Sequence, residues 1–257
     1  MNPLVVALGA LIGTFAAALA GLRLRHRLPD HHLDSESRDA VKLVMGLVAT
    51  MSALVLGLLV STTQAAYRAQ SDDLALLAAN IVVLDRMLLH YGPDLPESQE
   101  ARRLLRQGIT AEFHRILSDD GIRPEGLAPM RLQNPLEPFY AQLQQLRPAT
   151  DAQRQWLARA VEIGAAISRT RMLMVEQLSS SLPGPFLAVL LFWLAMLFLG
   201  FGLMTRLNPT VVVALLIGAI SVAGALFLIL ELDRPFDGLM RLSNAPLRRA
   251  LAELGDP

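Results

Sequence analysis

Four runs of apolar residues dominate this chain, each about 20 residues long, which is the length a helix needs to cross the hydrocarbon layer of a bilayer at about 1.5 Å of rise per residue. They extend from Pro3 to about Leu22, from about Val41 to Thr63, from Phe186 to Thr205 and from Thr210 to Leu230, and each stops at a charge or a helix breaker. A chain with four such runs has bilayer as its solvent over much of its surface, and only helices or closed barrels satisfy their backbone there. Aromatic residues make up 5% of the sequence, and its hydrophobicity comes from Leu, Ala, Val, Ile and Met, which fill spanning helices rather than barrel girdles. The reading is therefore helical.

The rest of the composition agrees. Of the 257 residues 53% are hydrophobic and 18% charged, too apolar a balance for an ordinary soluble domain. The formal net charge is zero and the basic residues are almost all Arg, scattered among acids, so there is no basic stripe and nucleic acid is not expected as a partner. The absence of Cys removes disulfides, thiolate metal sites and cysteine nucleophiles from consideration.

The third and fourth runs are joined only by Arg206, Leu207, Asn208 and Pro209, which forces an antiparallel hairpin, with Pro209 placed to open the next helix. Within the first run, Ala17-Ala18-Leu19-Ala20 before Gly21 resembles a signal-peptidase site. No Lys or Arg precedes the run, and it is longer than the apolar core of a secretory signal, so it is read as a retained span. Arg23, Arg25 and Arg27 follow the first run, Arg38 and Lys42 precede the second, and Arg206 lies in the hairpin. By the positive-inside rule these short loops face the cytoplasm, and both termini and the long segment after the second run face outward.

That long segment has helical periodicity. Leu74, Leu77, Ile81, Leu84 and Leu88 recur at three and four, predicting one buried face on a helix that continues the second span and stops at Tyr91-Gly92-Pro93. A second helix is expected from near Ser98, with Leu105, Ile109, Phe113 and Ile116 on one face, ending near Asp119-Asp120-Gly121. After a proline-rich loop, a short helix is expected from about Leu136 to Leu146. A last one, capped by Thr150 or Asp151, places Trp156, Ala160, Ile163, Ile167 and Met174 on one stripe. Ser179-Ser180-Ser181 and Pro183-Gly184-Pro185 then interrupt the path into the third span.

Catalytic patterns are missing: there is no nucleophile elbow, zinc-protease helix, phosphate loop or dinucleotide fingerprint. The serine run before Pro183 has no base at a recognisable spacing. His31-His32 with Asp30, Asp34 and Glu36 resembles a metal cluster in composition only, since adjacent side chains point apart, and a juxtamembrane polar loop explains it. The expectation is a protein that is not an enzyme, with no cofactor and no metal.

The second span is more informative. Gly46, Thr50, Ala53, Gly57, Ser61 and Gln64 are spaced by threes and fours and form one small or weakly polar stripe on an otherwise greasy helix. Such a stripe suits first of all close packing of helices, because small residues let backbones approach, and after that the lining of a pore. The fourth span carries a fainter version in Gly218, Ser221 and Ala225 and ends at Glu231 and Asp233. Repeated around a symmetry axis those acids would ring a pore mouth, whereas in isolation they are interfacial acids, hydrated or paired with Arg234.

Four segments carry a family resemblance. His32 to Ser37, the span MGLVATMSALVLGLLVSTTQAAY, the run LDRMLLHYGPD from Leu84, and the tail LDRPFDGLMRLSNAPL from Leu232 resemble bacterial bestrophin-like membrane proteins of unknown function, along nearly the whole chain. Tyr91-Gly92-Pro93 and Pro235-Phe236-Asp237-Gly238 are the most specific pieces. Bestrophins proper are pentameric anion channels with two spans, a domain and two more spans, followed by an acidic calcium-binding segment. The order of segments here is similar, while the acidic segment is reduced to Asp233 and Asp237.

Together these readings predict an all-α integral membrane protein with four transmembrane helices in a 2+2 order and a helical extramembrane domain between spans two and three. Residues 1–66 hold the first two spans, 67–183 the extramembrane domain, 184–232 the hairpin of spans three and four, and 233–257 a tail whose Pro-Phe turn folds back toward the membrane surface. The expected function is a homo-oligomeric ion channel of the bacterial inner membrane, its pore lined by Gly46, Thr50, Ala53, Gly57, Ser61 and Gln64, with Glu231 and Asp233 at a mouth. Its partners are lipid, inorganic ions and further copies of itself. The competing expectation is a membrane-anchored envelope sensor or scaffold without a pore.

Overall fold

The computed structural model describes residues 2–27, 35–118, 121–122, 134–178, 184–233 and 242–255, with side chains described outside 35–38, 112–122 and 175–178. It is all-helical. In chain order the helices are α1 (Pro3–Arg25), α2 (Ser35–Tyr91), α3 (Pro96–Ile116), α4 (Glu137–Gln145), α5 (Asp151–Leu178), α6 (Gly184–Met204), α7 (Pro209–Leu232) and α8 (Ala245–Leu254). Extended pairing among the described residues is limited to a two-residue antiparallel register, Leu117 opposite Ile122 and Ser118 opposite Gly121. The second helix of the long segment thus ends at Ile116, before the Asp-Asp-Gly sequence expected to stop it. Four helices are long and apolar enough to cross a membrane: α1, α2 from Asp39 onward, α6 and α7.

The same dipeptide opens two of these helices. Asn2 precedes Pro3 and Asn208 precedes Pro209. In each case the Asn Oδ1 accepts a bond from the backbone N–H two residues on, at 3.1 Å from Leu4 and 3.2 Å from Thr210. Proline at the first turn forfeits an N–H that would have no partner there anyway, and asparagine satisfies one that would otherwise be orphaned. At the other end of α1, Arg23 and Arg25 lie in the last turn, where positive charge suits the helix dipole.

The chain divides into two compact units. Unit 1 comprises residues 1–66 and 181–233 and contains α1, the first part of α2, α6 and α7; unit 2 comprises 67–180 and 234–257. In unit 1, α1 lies against both α6 and α7. Two glycines bring α1 and α6 into backbone contact. A Cβ built on Gly21 would lie 2.9 Å from the Leu203 nitrogen and closer still to the Leu199 carbonyl oxygen. One built on Gly202 would lie 2.9 Å from the Leu22 nitrogen and closer still to the Ala18 carbonyl oxygen. Small residues at facing positions are how helices associate where lipid removes the usual hydrophobic drive. Around this seam Ala18, Phe198 and Ala219 form one cluster, and Ala10, Leu187, Leu190, Leu194 and Leu226 another. Hydroxyls of Thr14, Ser52 and Thr63 each bond a carbonyl four residues back, at 2.7 Å, so these buried polar groups are satisfied within their own helices.

Unit 2 is built around one main hydrophobic core. The stripe expected on the continuation of the second span is buried at Leu74, Ile81, Leu84 and Leu88, and it meets Leu105 of α3, Phe139 and Leu143 of α4, and Ala160 and Ile167 of α5. The end of α2 at Tyr91 is tied from two directions. Ser98 donates its hydroxyl to the Leu88 carbonyl at 2.6 Å, and Gln153 donates its amide to the Tyr91 carbonyl at 3.2 Å. Both carbonyls belong to the last turn, which has no further helical partner. Burial, with a smaller contribution from Glu97, pushes the Tyr91 phenol above its usual range. Asp85 and Arg102 join α2 to α3 through a bidentate pair at 2.8 and 2.7 Å. This bonding to Asp85 raises the guanidinium pKa further and leaves both side chains mostly buried.

The expected return of the tail toward the membrane surface rested on the turn at Pro235-Phe236-Asp237-Gly238, which lies outside the described residues. Beyond it, residues 245–254 form α8, an amphipathic helix that places Leu254 in the main core of unit 2, with Leu247 and Leu251 packed against that core.

Candidate functional site

Of the four helices long and apolar enough to span a bilayer, α2 is the least covered: 6% of its most apolar stretch is buried, against 39% for α6. Its surface separates into three faces. Ser52 and Thr63 are buried, and Val55, Leu56 and Leu59 between them pack onto the Leu190–Leu226 cluster of unit 1. Leu47, Met51, Leu54 and Leu58 form a bulky apolar face that is exposed, as a side chain meeting lipid would be. The third face is the small-residue stripe. Gly46, Thr50, Ala53, Gly57, Ser61 and Gln64 are all exposed, centred about 140° around the helix from the buried line at 3.6 residues per turn.

Open space separates the third face from a packing seam inside this chain. A Cβ on Gly46 or on Gly57 would meet nothing within 4 Å, in contrast to Gly21 and Gly202, where backbone blocks it. Thr50 donates its hydroxyl to the Gly46 carbonyl at 2.9 Å, so the oxygen keeps acceptor capacity toward the open side. The fainter stripe of α7 behaves differently: Gly218 is filled by the Phe198 ring, 3.4 Å from a built Cβ, so packing within unit 1 accounts for it. Ser221 is exposed and bonds the Ile217 carbonyl at 2.9 Å.

The two acids at the end of α7 have different surroundings. Glu231 is buried, with 3% of its surface exposed, and Asp233 is half-buried, its backbone N–H closing the helix on the Ile229 carbonyl at 3.1 Å. Both have polar or electrostatic partners. No group of three or more potential metal ligands occurs among the described residues, and His31, His32, Asp30 and Asp34 lie outside them, as do Ser179, Ser180 and Ser181.

Sequence reasoning missed two things that matter to this architecture. The close approach of α1 and α6 at Gly21 and Gly202 left no mark in the sequence beyond a glycine in each of two apolar runs. The packing of α8 had a usable signal, Leu247, Ala250, Leu251 and Leu254 at helical spacing behind Pro246.

Four helices long and apolar enough to cross a bilayer mark the chain as a helical membrane protein. The family model of the bestrophin-like domain matches residues 12–247, from within α1 to the start of α8, and the chain belongs to the bestrophin-like family. No curated protein and no solved structure matches it.

Proposed function

We propose that this chain is the subunit of a homo-oligomeric ion channel, with its four spanning helices in a 2+2 order about an extramembrane unit 2. In this reading α2 stands nearest the symmetry axis and turns Gly46, Thr50, Ala53, Gly57, Ser61 and Gln64 toward it. The observation that carries the reading is the open stripe. It is small, weakly polar and uncovered by its own unit, on the helix with the least covering, and it runs unbroken over six positions from Gly46 to Gln64. A lining of hydroxyls and backbone-exposing glycines can replace part of an ion's hydration.

Orientation follows from charge. Arg23, Arg25, Arg27, Lys42 and Arg206 belong to one end of unit 1, and the positive-inside rule assigns that end to the cytoplasm. Unit 2 and both termini then lie on the outer face of a bacterial inner membrane. Transport rather than catalysis is assigned.

The test is Gly57→Leu in proteoliposome flux. Space at Gly57 is open within the chain, so the variant is expected to fold and assemble and to lose conductance. Undiminished flux in a correctly assembled variant would remove the pore assignment. One observation favours a second reading, an envelope sensor or scaffold: α2 is a single helix of 57 residues that passes from unit 1 into unit 2 and could carry a displacement along its length. That reading predicts no flux from the wild type.

A further inference from the structure

The open stripe of α2 carries no charge between Gly46 and Gln64, but a charged residue stands beyond each end of it, and the two ends differ. At about 100° per residue the six stripe residues occupy an arc of about 80° on the helix, bounded by Ala53 and Ser61. Before Gly46, the nearest charged residue on that arc is Asp39. Lys42 holds it at 2.9 Å, so this end is neutralised within the chain. Past Gln64, the first charged residue on the arc is Arg68, four residues further along the same unbroken helix.

Arg68 is exposed and has no hydrogen bond or ion pair among the described residues. Asp72 stands at the spacing of an i,i+4 partner, yet no bond joins the two. It lies just outside the arc and about 6 Å further along the helix, so it weakens the positive charge beside Gln64 without cancelling it. Glu231, the acid expected at a pore mouth, is buried at 3% exposure and already has a partner. The uncompensated charge on the line of the stripe is therefore positive.

We propose that Arg68 sets the ion class of this channel, so that inorganic anions pass in preference to cations. The proposal rests on the pore reading, because only an axis beside α2 brings the copies of Arg68 together. Around such an axis one exposed guanidinium per copy forms a ring of like charge at the mouth next to Gln64, and a ring of one sign attracts ions of the other. A unit charge about 4 Å away in water changes the local concentration of a monovalent ion about fivefold, and charges around one axis reinforce each other.

The experiment is the reversal potential of the full chain in planar bilayers of zwitterionic lipid under a tenfold gradient of sodium chloride. The wild type should pass chloride about tenfold better than sodium. Arg68→Gln should bring the ratio close to one, Arg68→Glu should invert it, and Arg68→Lys, which keeps the charge, should preserve it. Because the Arg68 side chain has no partner among the described residues, all three variants are expected to fold and assemble as the wild type does. Near 1 M salt the screening length falls to about 3 Å, so the wild-type preference should shrink several-fold there, a change that a purely structural role for Arg68 does not produce. A wild type that conducts without preferring chloride, or an unchanged ratio in Arg68→Gln, would overturn this proposal and leave the pore reading standing. A wild type that conducts nothing would overturn both.

Discussion

The replacement Gly202→Ala isolates the contact on which unit 1 depends. The added methyl carbon would stand 2.9 Å from the Leu22 nitrogen and nearer still to the Ala18 carbonyl oxygen, both backbone atoms that no rotamer change can move. Ordinary contact lies beyond 3.4 Å, so α1 and α6 would have to part by about half an ångström or more along this seam. Overpacking of this kind costs about 1–3 kcal/mol, and rigid backbone on both sides argues for the upper end, against about 1 kcal/mol regained from the better helix propensity of alanine. A net loss of about 2 kcal/mol should lower the midpoint of thermal unfolding by about 4–8 °C, read in detergent by the fluorescence of Trp193 on α6. Gly57→Ala is the matched control. Nothing lies within 4 Å of the new methyl, so its midpoint should stay or rise slightly. An unchanged midpoint for Gly202→Ala, or a larger fall for Gly57→Ala, would refute the division of small residues into a packing seam and an open stripe.

Two further perturbations test unit 2. Asp85→Ala strips the Arg102 guanidinium of both its bonds where it is 21% exposed, and should destabilise unit 2 by about 2–3 kcal/mol in denaturant titrations followed at Trp156; Arg102→Leu added to it should recover part of the loss. Deleting residues 245–257 removes Ala250 and Leu254 from the core and should cost about 2–4 kcal/mol, seen as faster limited proteolysis of α3 and α5, with no change expected if α8 is a detached tail.

Most of the architecture was legible in the sequence because bilayer thickness and helical periodicity are strong constraints. Residues 3–22, 186–205 and 210–230 have the length and apolarity of spans, and the Leu74 to Leu88 stripe announced the helix that continues the second one. The proline-free path from Asp39 to Tyr91 allowed that helix to be read as unbroken, as it is. What could not be read was which small residues face which neighbour. Gly21, Gly57 and Gly202 look alike in an apolar run, and only their three-dimensional register separates contact with a carbonyl from open space. The α8 packing escaped notice for a related reason: a ten-residue helix at the end of a chain has a clear period but no sequence mark of the core that receives it. For the candidate stripe, spacing alone picked out six residues, and the fold adds that all six are exposed on the least covered helix.

The central claim is that α2 presents its open stripe to a symmetry axis shared by several copies. Its most direct test is the mass and symmetry of the full chain in a lipid nanodisc, by electron microscopy of the particles. A closed ring of about four or more copies with α2 innermost is the predicted result. A monomer, or a two-fold dimer with no central axis, would contradict the channel and leave the sensor or scaffold in its place.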